Sequence, residues 1–309
     1  MSSKPKVIVL LSIDFDAVSG WLGTGSHPSN TLSDYSSGLF SGKVGVPRLL
    51  KVFKKLGISS KVTWFVPGHS AESFPDSMQS IVDSGAEIGG HGYCHEGAYQ
   101  LTEDQEQDVI DKSVEVLEKL SGQKVKGWRG PLYQVRESTI KILEEKQFLY
   151  DSSLAGHDSE MYWLPKGGPK PINTPQYDSS VKASDWMHPL PKDIVNPTER
   201  GLVEIPGNWY TEDMTPLQYW PHTENSHGYV DTRSIEYMWK ERYEFILEEA
   251  KEKPAGQMTV YPMILHPDTS GMAHVLPMVE RFLIWLLAKG DEVEFMRYTD
   301  AAEQWTKAQ

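Results

Sequence analysis

Residues 7–13, Val-Ile-Val-Leu-Leu-Ser-Ile, form an almost unbroken β-branched and leucine run. A run of this kind reads as a strand buried on both faces, the kind found in a parallel sheet covered by helices. It ends at Asp14-Phe15-Asp16, and alternation along a strand points both carboxylates to one side at its C-terminal end. Further strand-like runs cover 61–66, 86–90, 124–128, 202–206, 258–265 and 292–296. Helical periodicity falls at 46–56, 75–84, 102–120, 138–146, 232–251, 276–288 and 298–307. Strand therefore alternates with helix, which predicts a parallel α/β architecture with its site at the C-terminal mouths of the strands.

Polar chemistry collects where the strands end. The 61–66 run exits at Pro67-Gly68-His69, the 124–128 run at Arg129-Gly130-Pro131 and the 258–265 run at His266-Pro267-Asp268, while 86–90 leads to His91-Gly92-Tyr93-Cys94-His95, a segment open to either a first helical turn or a tight loop after a strand. Two imidazoles four residues apart, with glycines before and between them, can converge on one metal ion. Residues 17–45 and 151–200 show little period and read as loops; a loop that long inside a compact domain usually has a task. No repeat or linker divides the chain, and the candidate residues run from Asp14 to His266, so 1–309 reads as a single catalytic domain.

The formal charge of −13 would repel a phosphate backbone, which argues against nucleic acid as a partner. The lone cysteine, Cys94, excludes an internal disulfide. No apolar stretch at the start is long enough for a signal or a membrane span. A cytoplasmic protein is the expectation.

These pieces in this order resemble the polysaccharide deacetylase (NodB-homology, carbohydrate esterase family four) superfamily, and within it the branch of Helicobacter-type peptidoglycan deacetylase. The resemblance is carried by Ile13-Asp14-Phe15-Asp16-Ala17, Gly20-Trp21-Leu22-Gly23, Gly38-Leu39-Phe40, Gly45-Val46-Pro47-Arg48-Leu49-Leu50, Trp64-Phe65-Val66-Pro67-Gly68-His69 and His91-Gly92-Tyr93-Cys94-His95-Glu96. Later pieces are Asp185-Trp186-Met187, Glu204-Ile205-Pro206, Asn208-Trp209-Tyr210 and Ile264-Leu265-His266-Pro267-Asp268. It implies a distorted (β/α) barrel, NodB-like, with about seven parallel strands. It implies zinc or another divalent metal on Asp16, His91 and His95, with Asp14 as general base, Arg129 orienting that base and His266 as general acid. Asp185 would tune the acid and Trp186 would line the groove. A backbone N–H at Leu132 or Tyr133 would hold the oxyanion. His69, at the same predicted face, would bind a polar group of the substrate. Relatives of this branch tend to be homotetramers.

The activity implied is hydrolysis of a carbon–nitrogen bond, N-deacetylation of an amino sugar or its polymer. Two alternatives stand beside it: hydrolysis of a small cyclic imide or ureide, and a non-catalytic binder on the same fold. The chain departs from the family pattern at Cys94, where Ser or Thr is commoner, and in Arg129-Gly130-Pro131-Leu132-Tyr133, where Arg-Pro-Pro-Tyr is usual.

Overall fold

The computed structural model describes all residues except 1–5, 24–29, 173–174, 176, 197, 221–227 and 255. Its centre is β1 (Val7–Asp14), buried along its whole length. β2 (Thr63–Val66), β3 (Glu87–Gly90), β4 (Gly127–Trp128), β5 (Tyr150–Asp151), β6 (Tyr162–Pro165), β7 (Arg200–Glu204), β8 (Thr259–Leu265) and β9 (Val293–Phe295) follow. Helices including Val46–Leu56, Pro75–Asp83, Glu103–Ser121, Glu137–Glu145, Thr232–Glu252 and Leu276–Leu287 connect them. The order across the sheet is β6-β7-β5-β4-β3-β2-β1-β8, with β9 beside β1.

Every strand pairing but one is parallel; β6 runs antiparallel to β7 across a register shift. Eight strands are thus parallel among the described residues, one more than the sequence suggested, because the two-residue β5 pairs in register with both β4 and β7. One edge of β1 pairs with β8 from Val7 to Ile13. Its other edge is divided: β9 takes Val7 to Val9, and β2 takes Ser12 to Asp14.

No ladder joins β7 to β8 among the described residues, so the barrel is seamed rather than closed. The chain itself bridges the seam. Val260 donates its amide to the Ser159 carbonyl (2.9 Å), and Thr211–Asp213 lies on the free edge of β8, with Ile264 N to Thr211 O at 3.0 Å and Asp213 N to Ile264 O at 3.1 Å.

Alternation along β1 sorts two interiors. Val7, Val9, Leu11 and Ile13 face the helices that wrap the sheet. Ile8 and Leu10 face inward, onto Tyr298, Ala301, Ala302 and Trp305 of the last helix, Tyr298–Ala308, which plugs the lower end of the barrel. The same inward face continues upward as Ser12 and Asp14. An apolar plug below and a polar mouth above are therefore two ends of one strand face.

The described residues of the 17–45 stretch are more regular than its composition suggested. It forms the helices Ser19–Gly23 and Leu32–Phe40 and a π-helical turn, Ser41–Gly45, that runs into Val46–Leu56. Its glycines make contact rather than flexibility. A Cβ on Gly23 would sit 1.6 Å from the Cys94 carbonyl oxygen, and one on Gly45 would sit 2.1 Å from that of Pro267. Both backbones lie against site loops too closely for any side chain. No helix among the described residues is long and apolar enough to cross a membrane.

Candidate metal centre

Three side chains converge at the mouth. Asp16, His91 and His95 each offer a ligand atom, and those atoms lie within 4.8 Å of one another. His91 Nε2 stands 3.4 Å from Asp16 Oδ1, and His95 Nε2 stands 3.5 Å from Asp16 Oδ2. All three residues are buried, with exposures of 5%, 2% and 6%. Asp16 Oδ1 has no hydrogen-bond partner although it is sealed from solvent. A buried carboxylate with one orphaned oxygen, set between two imidazoles, is the donor set a divalent cation satisfies. The residues fit the ion that the sequence implied.

The local backbone is bent to make this meeting. His95 and Ala17 hold positive φ of 61° and 48°, and Gly92 turns at 71°. Non-glycine residues in the left-handed region are strained and collect at functional loops. His91 donates its Nδ1–H to the Arg129 carbonyl (2.7 Å), which fixes the tautomer and leaves Nε2 as the ligand atom. Burial, together with the charges of His91 and His266, pulls His95 down to about 4, so its ring stays neutral as a ligand must be. For Asp16 burial works upward, but the neighbouring imidazoles outweigh it and hold the acid far below its usual range.

Asp14 sits beside the triad, with Oδ2 3.9 Å from both His91 Nε2 and His266 Nε2. Its Oδ1 accepts from Arg129 Nη1 at 2.6 Å. The guanidinium is fully buried and every N–H is used. Nη1 also reaches Ser12 Oγ (2.9 Å), Nε donates to the Ser152 carbonyl (3.1 Å), and Nη2 donates to Ser152 Oγ (2.9 Å) and Tyr298 Oη (3.3 Å). Its flat face lies 4.1 Å from the Phe65 ring centre. Burial alone would lower the arginine's pKa; Asp14, then Tyr298 and Tyr133, outweigh it and push it higher.

His266 donates Nδ1–H to Asp213 Oδ1 (2.8 Å), which aims Nε2 at Asp14 and Asp16. The Asp213 carboxylate is held in turn by the His266 amide (3.0 Å) and by Ser270 Oγ. Burial would make this imidazole less basic; Asp213, then Asp16 and Asp14, reverse that and hold it well above the usual histidine value.

The partner of His266 is where sequence and structure part. Asp185 was expected to be that carboxylate. It is exposed instead, and caps its own turn by accepting from Lys182 N (3.3 Å) and Ser184 Oγ (3.3 Å). Trp186 packs edge-on against Tyr177, ring centres 5.1 Å apart. Among the described residues no contact ties either to the metal cluster. The motif was assigned in a stretch with no periodicity to anchor it, and the carboxylate lies in Thr211-Glu212-Asp213. A signal was present: that acidic pair follows the strand exit Glu204-Ile205-Pro206, as the other site residues follow theirs.

Two smaller expectations change as well. The Tyr133 amide donates to the Gly130 carbonyl (2.9 Å), so it is committed elsewhere. Leu132 and Tyr133 both hold positive φ, 57° and 56°, and fold their segment back over the mouth. Tyr133 Oη donates to the buried Glu212 (2.6 Å), and its ring meets Trp209 edge-on at 5.6 Å. His69, expected to bind a polar group of the substrate, also has a structural task. Its Nδ1 pairs with Ser19 Oγ (2.9 Å), Ser19 pairs with Ser70 (2.8 Å), and Ser70 donates to the Asp16 carbonyl (2.6 Å), so this chain of polar contacts braces the loop bearing Asp16. Trp21 and Trp220 stack at 4.1 Å beside Gly20, against which Asp16 also packs. Cys94 is a free thiol raised to about 11 by burial and Glu96.

Several known proteins are similar to this chain. A polysaccharide deacetylase family model matches residues 34–150. A peptidoglycan deacetylase-like protein of Gibberella zeae is 50% identical over 98% of this chain and 87% of its own length. The peptidoglycan deacetylase of Helicobacter pylori is 37% identical over 98% of this chain and 97% of that protein. Among solved structures, a putative polysaccharide deacetylase from Mycobacterium smegmatis superposes with a TM-score of 0.78 at 25% identity, covering 99% of this chain and 92% of that one.

Proposed function

As the chain belongs to the polysaccharide deacetylase family, we propose that it is a divalent-metal hydrolase that removes the acetyl group from an N-acetylated amino sugar or its polymer. The observation that carries the reading is the buried Asp16 carboxylate, one oxygen orphaned, between the His91 and His95 imidazoles, next to a separately clamped Asp14 and a His266 paired with Asp213. Asp16, His91 and His95 would hold the ion, for which zinc suits the N/O donor set. When bound, the ion would acidify a water and polarise the substrate carbonyl.

The chain's own residues supply the proton traffic. Asp14, with Oδ1 fixed by Arg129 and Oδ2 turned to the site, takes the proton of the attacking water. The Leu132 amide, on the strained turn over the mouth, is the remaining candidate donor to the developing oxyanion. His266 starts protonated and delivers the Nε2 proton to the departing nitrogen, so that acetate and a free amine leave. Asp213 keeps that imidazole charged and aimed. In Asp213→Asn, loss of the carboxylate lowers the pKa of His266. The acid is then lost sooner as pH rises, so the alkaline limb of the kcat/KM profile moves to lower pH and kcat falls roughly 10²-fold. A pH–rate series on the purified variant checks this; an unmoved limb would remove Asp213 from the role.

A second reading, hydrolysis of a small cyclic imide or ureide, is favoured by how little of the centre reaches solvent: Asp14 and His266 are only 2% and 4% exposed. Metal-loaded protein assayed on N-acetylated oligosaccharides beside succinimide-type and ureide rings separates the two. Released acetate supports deacetylation, and a ring-opened acid with no acetate overturns it. Tetramer formation, supported by exposed Tyr237, Met238 and Phe245 on the helix Thr232–Glu252, and a cytoplasmic setting complete the proposal.

A further inference from the structure

One buried pair of acids has no task in this scheme. Asp151 and Glu204 face each other in register on β5 and β7, and neither is exposed at all. Their carboxyl groups lie against one another. The Ser153 amide donates to both, at 3.0 Å to Asp151 Oδ2 and 2.9 Å to Glu204 Oε1. Leu154 N adds a bond to Glu204 Oε1 (2.9 Å), and Ser153 Oγ adds one to Asp151 Oδ1 (3.0 Å). Glu204 Oε2 is left buried with no partner.

Two ionised carboxylates in contact cannot both persist in a dry interior. The nearby cation favours an ionised Asp151 but gives the pair no hydrogen bond, because all the N–H groups of Arg129 are taken by Asp14, Ser12, Ser152 and Tyr298, and its charge is already matched by Asp14. The other titratable group facing the pair is the Tyr162 phenol, kept neutral by burial and by these same acids. An orphaned carboxyl oxygen beside a second carboxyl is what coordinates show when the hydrogen between them goes unseen.

We infer that Asp151 and Glu204 share a single proton, carried on Glu204 Oε2, and that this acid pair is the seat of the clamp that aims Asp14. Burial raises both acids, Asp151 to about 6 and Glu204 well above its usual value, in keeping with one retained proton. The link to the centre is short. The pair fixes residues 151–154; Ser152 supplies its carbonyl and hydroxyl to Arg129, and Ser153 Oγ accepts from Gly130 N (2.8 Å). Losing the proton would set two charges against each other across β5 and β7 and shift Ser152 under the guanidinium. Glu204 is thus a positioning residue, an assignment that rests on Asp14 being the base.

The test compares Glu204→Gln with Glu204→Leu in the metal-loaded full chain. Glutamine keeps an acceptor for Ser153 and Leu154 and offers an N–H where the acid proton stood; leucine offers neither. Glu204→Gln is expected to keep kcat within about threefold, and Glu204→Leu to lower kcat at least about tenfold, with KM and metal stoichiometry unchanged in both. A glutamine variant as impaired as the leucine one, or a leucine variant with full kcat, overturns the inference. Infrared spectra supply a readout independent of substrate and of the folding of the leucine variant. The wild type at neutral pH should show a protonated-carboxyl C=O band that is missing from Glu204→Gln. Identical spectra would overturn the shared proton even if deacetylation holds, whereas a missing deacetylase activity would leave the band untouched.

Discussion

Asp14→Asn is expected to retain its metal and lose about 10³–10⁴ in kcat, the upper part of what a positioned general base contributes. The two aspartates are two residues apart, yet their surroundings give them separate work. Asp14 is held by a guanidinium and turns one oxygen to the space between His91 and His266; Asp16 faces only imidazoles. Asparagine keeps an acceptor for Arg129 Nη1 but cannot take a proton from water. It also removes the charge opposite a fully buried arginine, and breaking such a pair costs up to about 3–5 kcal/mol. Thermal unfolding therefore belongs beside the kinetics, with turnover measured well below the variant's midpoint. Metal analysis alongside kcat decides the matter: metal kept and turnover gone assigns the base, while full turnover removes Asp14 from that role.

Asp16→Ala is the complementary case, expected to lose the ion and with it all activity above background. Two neutral imidazoles remain, and removing the only charged ligand of a three-ligand set forfeits most of the affinity. Equilibrium dialysis against zinc should show wild-type protein binding one ion and the variant none at the same free concentration. Stability should move oppositely in the two states. Without metal, alanine relieves a buried, partnerless oxygen; with metal, the wild type gains and the variant does not. A variant that still bound zinc as tightly would sink the assignment of the ligand set.

The strand exits explain why so much of the centre could be read beforehand. Asp14, Asp16, His91, His95, Arg129 and His266 each follow a run whose periodicity marks a strand, so fold and site were legible together. Asp213 was missed because it belongs to no strand of its own; it reaches the mouth by lying on the free edge of β8. Ser12, Ser152 and Tyr298 were invisible for a different reason. A serine or tyrosine in an apolar stretch carries no pattern, and its use appears only when Arg129 arrives from a distant part of the chain. The helices between 17 and 45 were obscured by Gly and Ser, which here permit close backbone contact rather than loop freedom.

The divided edge of β1 sets a timetable for synthesis. β1 acquires its lower neighbour, β9, only when Val293 has been added, 286 positions after Val7. At about 5–20 residues per second that is a wait of roughly 15–60 s. Throughout it, the Val7–Val9 portion of that edge stays unpaired, while β2 can already take Ser12–Asp14. The helix that plugs the barrel and touches Arg129 emerges later still. A nascent chain that holds β1 but has not reached Tyr298 therefore lacks one of the contacts that fix Arg129.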